Sequence, residues 1–455
     1  MLVANRGEIA VRILRACFDE QLETVLVVSD VDRGSLAAQL ADRVVCIGPA
    51  SAAESYLDVG RLITAAKGTG CDAIHPGYGF VSERPELSEA CLEAGIAFVG
   101  PGPEAMRRSG DKADARELAR SLGIAVGHGS DVVDSEQGLD AVAENLGYPL
   151  LLKAAAGGGG RGMRLVERRE DLRRAWAAAS AEAQQAFGDG RLFVERFVRR
   201  ARHVEVQVLA DKFGAVIHLG HRDCSLQRRY QKLIEEAPAP DLLPRTEQEI
   251  LDAAVRLIQA LGYEGAATCE FLVDQERGTS GFLEINARLQ VEHPVSEMVT
   301  AVDIVREQLR IAGGKPVSVR QAEIELRGHA VEVRVNAESP QGDFMPTPGR
   351  IETWAAPIGT YVRVDTACFP GWTITPYYDS LLAKVITWGD DRGHAMARAR
   401  DALKRLRVEG VETTARFSYD LLVHPDVTAG RIHTRWIEDE FLPEWSTRKS
   451  REAVA

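Results

Sequence analysis

A mixed α/β and α+β fold is what the sequence predicts, on three observations. Residues 1–110 alternate short apolar strands with amphipathic helices, the pattern of a parallel sheet. Residues 148–166 read as strand, glycine-rich loop and strand, with no helix after the loop. From Gly328 onward strands dominate again.

In the first region, strands are expected at 2–4, 24–29, 44–47, 73–75 and 97–99, with a helix over 7–19. The turns His75-Pro76-Gly77-Tyr78-Gly79-Phe80 and Gly100-Pro101-Gly102-Pro103 follow strands, where parallel sheets collect ligands. Residues 111–130 read as a helix with a glycine-rich exit. Residues 130–210 read as a small α+β unit with helices over 134–147 and 171–187 and strands over 148–153, 163–166, 192–197 and 203–210. A strand is expected over 216–220, a helix over 246–261, a hairpin from 267–273 and 281–286, and a helix over 302–311. The last region offers strands at 329–336, 349–354, 361–366 and 381–388 and a helix over 392–407. The expected domains are 1–110, 111–325 with an inserted unit over 130–200, and 326–446, followed by a frayed tail, 447–455.

Composition narrows the function. The 455 residues carry 55 basic and 67 acidic side chains, net −12. A nucleic-acid binder held by bulk charge needs a basic footprint, so that class is disfavoured. No apolar run is long enough to cross a membrane, and Arg6, Glu8 and Arg12 break any signal-peptide pattern. Seven scattered cysteines without a Cys-x-x-Cys pair fit free thiols in a cytoplasmic protein. Only nine of the basic residues are lysine, at 67, 112, 153, 212, 232, 315, 384, 404 and 449; the other 46 are arginine. Lysine retained against such a bias marks places where a compact point charge is needed.

Gly157-Gly158-Gly159-Gly160-Arg161-Gly162 can bring backbone N–H groups to phosphate oxygens with no Cβ in the way. A Walker loop or a dinucleotide fingerprint would run into a helix; here a strand follows. The loop therefore reads as a flap over a triphosphate such as ATP, with Lys153 placed to reach a phosphate. A plain hairpin tip is the alternative. Glu270 lies on an apolar strand, and Glu284, Asn286 and Arg288 fall at every second position of Glu284-Ile285-Asn286-Ala287-Arg288, on one strand face. Such a face is costly to bury unless a partner satisfies it. A magnesium ion held by two carboxylates and an amide, completed by phosphates, meets that need; a half-exposed polar strand is the alternative. Arg288 suits an oxyanion such as bicarbonate, and Glu292 is a potential base nearby; His293, before a proline, reads as structural. Residues 222–236 are dense in both signs of charge and read as a loop.

Residues 153–162, 203–207 and 284–288 together resemble the ATP-grasp superfamily. More narrowly, the chain resembles biotin carboxylase, the component shared by acetyl-CoA, propionyl-CoA and pyruvate carboxylases. The resemblance extends through Ala4-Asn5-Arg6-Gly7-Glu8-Ile9-Ala10, residues 75–80, Gly110-Asp111-Lys112, residues 223–240, Gln290-Val291-Glu292-His293-Pro294, residues 329–336 and Tyr377-Tyr378-Asp379-Ser380, from residue 4 to about residue 430. It implies an ATP-grasp fold with a Rossmann-like N-terminal domain, a mobile lid and a strand-rich C-terminal domain. It also implies ATP-dependent carboxylation of biotin, carried on a separate protein, with bicarbonate and Mg²⁺ or Mn²⁺.

By motif, Lys112, Lys153, Gly159 and Gly160 would meet the ATP phosphates. Glu195, Phe197, Val198, His203, Gln227, Tyr230 and Leu272 would line the rest of the nucleotide site. Glu270, Glu284 and Asn286 would hold the metal, with the two carboxylates also facing ATP. Lys232, Arg288, Gln290 and Val291 would hold bicarbonate, and Glu292 would deprotonate it. Arg334, with Tyr78 nearby, would serve biotin. The partners implied are a biotin carboxyl carrier protein, carboxyltransferase subunits and a second copy in a homodimer. Acetyl-CoA or another acyl-CoA is the favoured final acceptor, as in fatty-acid biosynthesis, with propionyl-CoA and pyruvate open. The chain departs from the family pattern at Tyr230, usually His, at Ala156, often Gly, and at Phe197, commonly Tyr. It starts a few residues later than that pattern, which trims the first strand. Two rival readings are a carbamoyl-phosphate-synthetase-like ligase and a non-catalytic nucleotide-binding scaffold.

Overall fold

The computed structural model describes residues 1–127, 133, 136–155 and 163–447. Gly159 and Gly160, with the rest of the glycine loop, and residues 448–455 lie outside the described residues.

The N-terminal region forms a five-stranded parallel sheet from β1 (Leu2–Val3), β2 (Val25–Ser29), β3 (Arg43–Gly48), β4 (Ala73–His75) and β5 (Ala97–Phe98), in the order β3-β2-β1-β4-β5. The expected alternation is what is found, and the helix Gly7–Asp19 has its predicted bounds. Asp58 caps the helix Val59–Thr69 by accepting from Arg61 N–H, and Gly70 ends it at φ +69°. The order reverses at β1, so the turns after β1 and β4 lie side by side. Asn5 Nδ2 stitches them, donating to the carbonyls of Pro76 at 2.7 Å and Tyr78 at 2.8 Å. Position 77 must be glycine: φ is +66°, and a Cβ would stand 2.8 Å from Asn5 Nδ2.

β6 (Leu150–Ala154), β7 (Met163–Val166) and β8 (Leu192–Arg196) form a small antiparallel sheet, with β6 in the middle. Its apolar face meets the helix Leu172–Phe187 over a core that includes Leu150, Leu152, Trp176 and Val194. The next strand belongs elsewhere. β9 (Ala201–Ala210), β10 (Val216–Arg228), β11 (Gln231–Ala237), β12 (Gly265–Asp274), β13 (Thr279–Asn286), β14 (His329–Asn336), β15 (Val362–Thr366) and β16 (Leu381–Gly389) make one eight-stranded antiparallel sheet, ordered β13-β12-β9-β10-β11-β14-β16-β15. The strands after Gly328 thus extend the sheet that carries the carboxylate hairpin. The helix Pro244–Ala260 covers one part of this sheet, and the helices Arg392–Arg405 and Ala415–Leu422 another.

The main correction concerns residues 222–236. They form not a loop but the hairpin β10–β11, turning at Arg229 and Tyr230, both with positive φ. Apart from the exposed Arg229, their charges are buried or half-buried and paired: Arg202 Nε donates to Asp223 at 2.7 Å and Arg222 Nε to Glu205 at 2.6 Å. A mixed-charge run reads as solvated only while its partners are unknown. The strand expected over 349–354 is split into Gly349–Arg350 and Thr353–Ala355. The helix His293–Thr300 has no counterpart among the sequence-based expectations, and the next helix starts at Ile304, capped by Asp303.

Glu236, on β11, accepts from Arg392 Nε at 2.7 Å and contacts His329 Nε2 at 2.8 Å, joining the hairpin to the C-terminal helix. Burial opposes its ionisation, but His329 and Arg392 hold its carboxyl down at about 2. The unfolded chain takes up this proton near the ordinary carboxylate value, so the contribution is full above about pH 4.5 and lost as pH falls towards 2. Glu236→Gln is expected to lower the unfolding temperature at pH 7 and to flatten its acid limb, measured by thermal unfolding from pH 7 to pH 3.

Candidate active site

Every candidate site residue among the described residues lines one cleft of about 740 Å³ between the small antiparallel sheet, the central sheet and the N-terminal turns. Antiparallel register explains the convergence. Arg222 on β10 faces Glu205 on β9, Glu205 faces Glu270 on β12, and Glu270 faces Glu284 on β13. Cross-strand partners share a face, so charge runs in a row across four strands.

Lys232 reaches into that row from β11. Its ammonium donates to Glu205 at 2.7 Å, Glu270 at 3.2 Å and Glu292 at 2.6 Å. Burial alone would lower its pKa, but the Cys224 sulfur and these carboxylates hold it well above the usual lysine value. Glu292 is fully buried between Lys232 and Arg334, whose guanidinium donates to it at 2.9 Å. Burial would raise the Glu292 carboxyl; Lys232, Arg334 and Arg222 together keep it well below the carboxylate range. Arg334 Nε also donates to Glu235 at 2.6 Å. Burial dominates at Glu235 and pushes its carboxyl up to about 7.

Arg288 is held in place by three neighbours. It donates to Gln290 Oε1 at 2.8 Å and Asn286 Oδ1 at 3.1 Å, and it pairs with Glu83 at 3.1 Å. Glu284 pairs with Lys112 at 2.9 Å, and Asn286 Nδ2 donates to Glu270 at 2.9 Å. His203 Nε2 lies 3.0 Å from Glu270, which, against the effect of burial, raises the histidine's pKa. The carboxylates Glu270 and Glu284 on facing strands, with the Asn286 amide, are hard oxygen donors that fit Mg²⁺ or Mn²⁺.

At the other end, Lys153 and Arg116 both grip Glu195. Burial opposes its ionisation, yet the two cations hold the Glu195 carboxyl down at about 2. Phe197, Val198, Gln227 and Leu272 line the same cleft, and Tyr230, also on its lining, is 59% exposed. The Tyr78 ring lines the cleft while its hydroxyl donates to Glu8. His293, read as structural, is buried with Nδ1 2.7 Å from the Gln290 carbonyl. Residues that sequence reasoning missed are Glu205, Arg222, Arg116, Glu83 and Glu235. The period-two set His203, Glu205 and Gln207 on an apolar strand was a usable sign for Glu205. The others depend on pairings that no local pattern shows.

Comparison with known proteins gives one answer along the chain. Residues 1–106 match the family "Biotin carboxylase, N-terminal domain" and residues 332–439 "Biotin carboxylase C-terminal domain", with "Carbamoyl-phosphate synthase L chain, ATP binding domain" over 111–320. Biotin carboxylase 1 of Bacillus subtilis is 46% identical over 96% of this chain and 98% of its own.

The chain belongs to the biotin carboxylase family.

A pyruvate carboxylase subunit from Methanothermobacter thermautotrophicus is 42% identical over 96% of this chain and 89% of that one. The biotin carboxylase domain dimer of the Hydrogenobacter thermophilus 2-oxoglutarate carboxylase, solved with magnesium ADP, ADP and bicarbonate, superposes with a TM-score of 0.90 at 42% identity, covering 96% of each chain. The architecture is the ATP-grasp fold of such biotin carboxylase structures, and the chain is an enzyme of that family. No helix among the described residues is long and apolar enough to cross a membrane.

Lys232 is the only cation within hydrogen-bond reach of three buried carboxylates among the described ion pairs of the cleft. Lys232→Met removes the one cation shared by these three carboxylates, leaving Glu205, Glu270 and Glu292 only their second ion-pair partners Arg222, His203 and Arg334, and is expected to cost about 3–5 kcal/mol. Arg245→Ala, which breaks an exposed helical pair with Glu249, is expected to stay within about 0.5 kcal/mol. Chemical unfolding of the two variants side by side checks the difference.

Proposed function

We propose that this enzyme carboxylates biotin on a separate carrier protein, using ATP and bicarbonate, with Glu292 as the base and Arg334 as the stabiliser of the biotin oxyanion. The observation that carries the reading is the placement of Glu292 between Lys232 and Arg334 at 2.6 and 2.9 Å, beside Arg288. Two cations and an arginine fork around one carboxylate suit a small oxyanion that must lose a proton.

The residues divide the work. Lys112 and Lys153 serve the ATP phosphates, and the same role is assigned to Gly159 and Gly160, which lie outside the described residues. Glu195, Phe197, Val198, His203, Gln227, Tyr230 and Leu272 form the nucleotide's walls. Glu270, Glu284 and Asn286 would hold Mg²⁺ or Mn²⁺, which supplies charge neutralisation at the phosphates when bound. Lys232, Arg288, Gln290 and the Val291 backbone seat bicarbonate. In the free site Lys232 and Arg334 suppress the basicity of Glu292. Bicarbonate arriving between Lys232 and Arg288 adds a negative charge and shares Lys232, so the proton affinity of Glu292 rises as its substrate binds. Deprotonated bicarbonate attacks the γ-phosphate, ADP leaves, and carboxyphosphate forms. Its breakdown gives CO₂ and phosphate; the phosphate takes the ureido N–H proton of biotin, Arg334 neutralises the charge that develops on the ureido oxygen, and the ureido nitrogen bonds to CO₂.

Acetyl-CoA or another acyl-CoA is the proposed final acceptor, with a carrier protein, carboxyltransferase subunits and a second copy of this chain as partners. The likeness to a pyruvate carboxylase subunit supports separate partners, and the Hydrogenobacter thermophilus domain dimer supports self-association. Seven free cysteines support a cytoplasmic setting.

ATP hydrolysis is expected to require bicarbonate and to rise when free biotin is added. Glu292→Gln and Arg334→Ala are each expected to lower biotin-stimulated turnover at least about a hundredfold. Turnover indifferent to both bicarbonate and biotin contradicts the reading.

A further inference from the structure

One of the nine lysines, Lys384, has none of the roles above, yet it is fully buried. It stands on β16 directly across from Arg334 on β14 and from Asp365 on β15. Its ammonium donates to the Val291 carbonyl at 2.8 Å and lies 3.2 Å from Glu8 and 3.9 Å from Asp365. Glu8, in the first turn of the N-terminal helix, accepts the Tyr78 hydroxyl. Glu332, two residues before Arg334 on the same strand face, is buried with no hydrogen-bond partner for either oxygen among the described residues. A single ammonium therefore joins the N-terminal domain, the central sheet and the turn that carries Val291 and Glu292. Lys384 does not line the cleft, whereas Val291 does.

We propose that Lys384 is a positioning residue: it turns the Val291 carbonyl away from the cleft and holds the Gln290-Val291-Glu292 turn in register with Tyr78. Physical chemistry gives the reason. A carbonyl oxygen facing the seat of an anion repels it, and a peptide whose oxygen is bound to an ammonium has a fixed plane. Fixing that plane fixes where the Glu292 side chain starts. The contact between Lys384 and Glu8 then sets the distance between this turn and the Tyr78 ring, so the bicarbonate and biotin sides are aligned by one charge. A lysine suits the task because three donors on a compact head can serve partners from three directions. This inference rests on the proposed bicarbonate seat at Val291 and Glu292.

The test compares Lys384→Met with the double variant Lys384→Met/Glu8→Gln in the full chain. Bicarbonate-dependent ATP cleavage is measured together with the unfolding temperature. Both variants are expected to show a bicarbonate KM raised and a kcat lowered, each on the order of tenfold or more. The KM for ATP should stay within about twofold, because the contacts of Lys384 lie at the bicarbonate and biotin end. The double variant, which removes the negative charge that Lys384 balanced, should regain unfolding temperature without regaining turnover; if the single variant does not fold, the double variant carries the comparison. Kinetics that recover with stability, KM values for ATP and bicarbonate that rise together, or wild-type kinetics in both variants overturn the proposal. Wild-type protein with no bicarbonate-dependent ATP cleavage overturns the proposed function itself, and this inference with it, which is distinct from a variant that behaves like wild type.

Discussion

Glu292 sits at 0% exposure between a lysine from one hairpin strand and an arginine from the neighbouring strand, and most of the site is arranged around keeping it ionised there. An isolated carboxylate at that depth would take up a proton. Lys232 prevents this, but a buried ammonium needs compensation of its own, and it finds Glu205 and Glu270. Glu205 in turn needs Arg222, and Arg222 also donates to Gln207 and Ser296. This succession of compensations ends at the neutral side chains of Gln207 and Ser296, and it is why several strands contribute charged side chains to one face.

The same dependence explains the size of the sheet. Arg334 reaches Glu292 because β14 pairs with β11 in register, Ile234 opposite Val333 and Glu235 opposite Glu332. A slip of one residue would turn Arg334 to the opposite face. The apolar side chains between these strands, including Val331, Val333 and Val385, are fully buried and fix that register. Packing on one side of the sheet is therefore what sets the distance between two charges on the other.

Much of this was legible in the sequence. Alternation of strand and helix identified the N-terminal sheet, and period-two polarity picked out Glu284, Asn286 and Arg288. Motif resemblance then brought in residues such as Lys112, His203 and Arg334, all of which the structure places in one cleft. What was not legible was anything that depends on which strands become neighbours. Residues 222–236 read as a loop because their counter-charges lie elsewhere in the chain: Glu205 for Arg222, Arg202 for Asp223, His329 and Arg392 for Glu236. Lys384 gave no local sign either, since Glu8, Val291 and Asp365 reach it from three distant segments.

The central claim is that Glu292 prepares bicarbonate, rather than water, to attack ATP. Turnover with bicarbonate labelled with oxygen-18 tests it most directly, by mass analysis of the inorganic phosphate released. The account predicts that one oxygen of each phosphate derives from bicarbonate, and that Glu292→Gln abolishes this labelled product. Phosphate that carries oxygen only from ATP and solvent would contradict it.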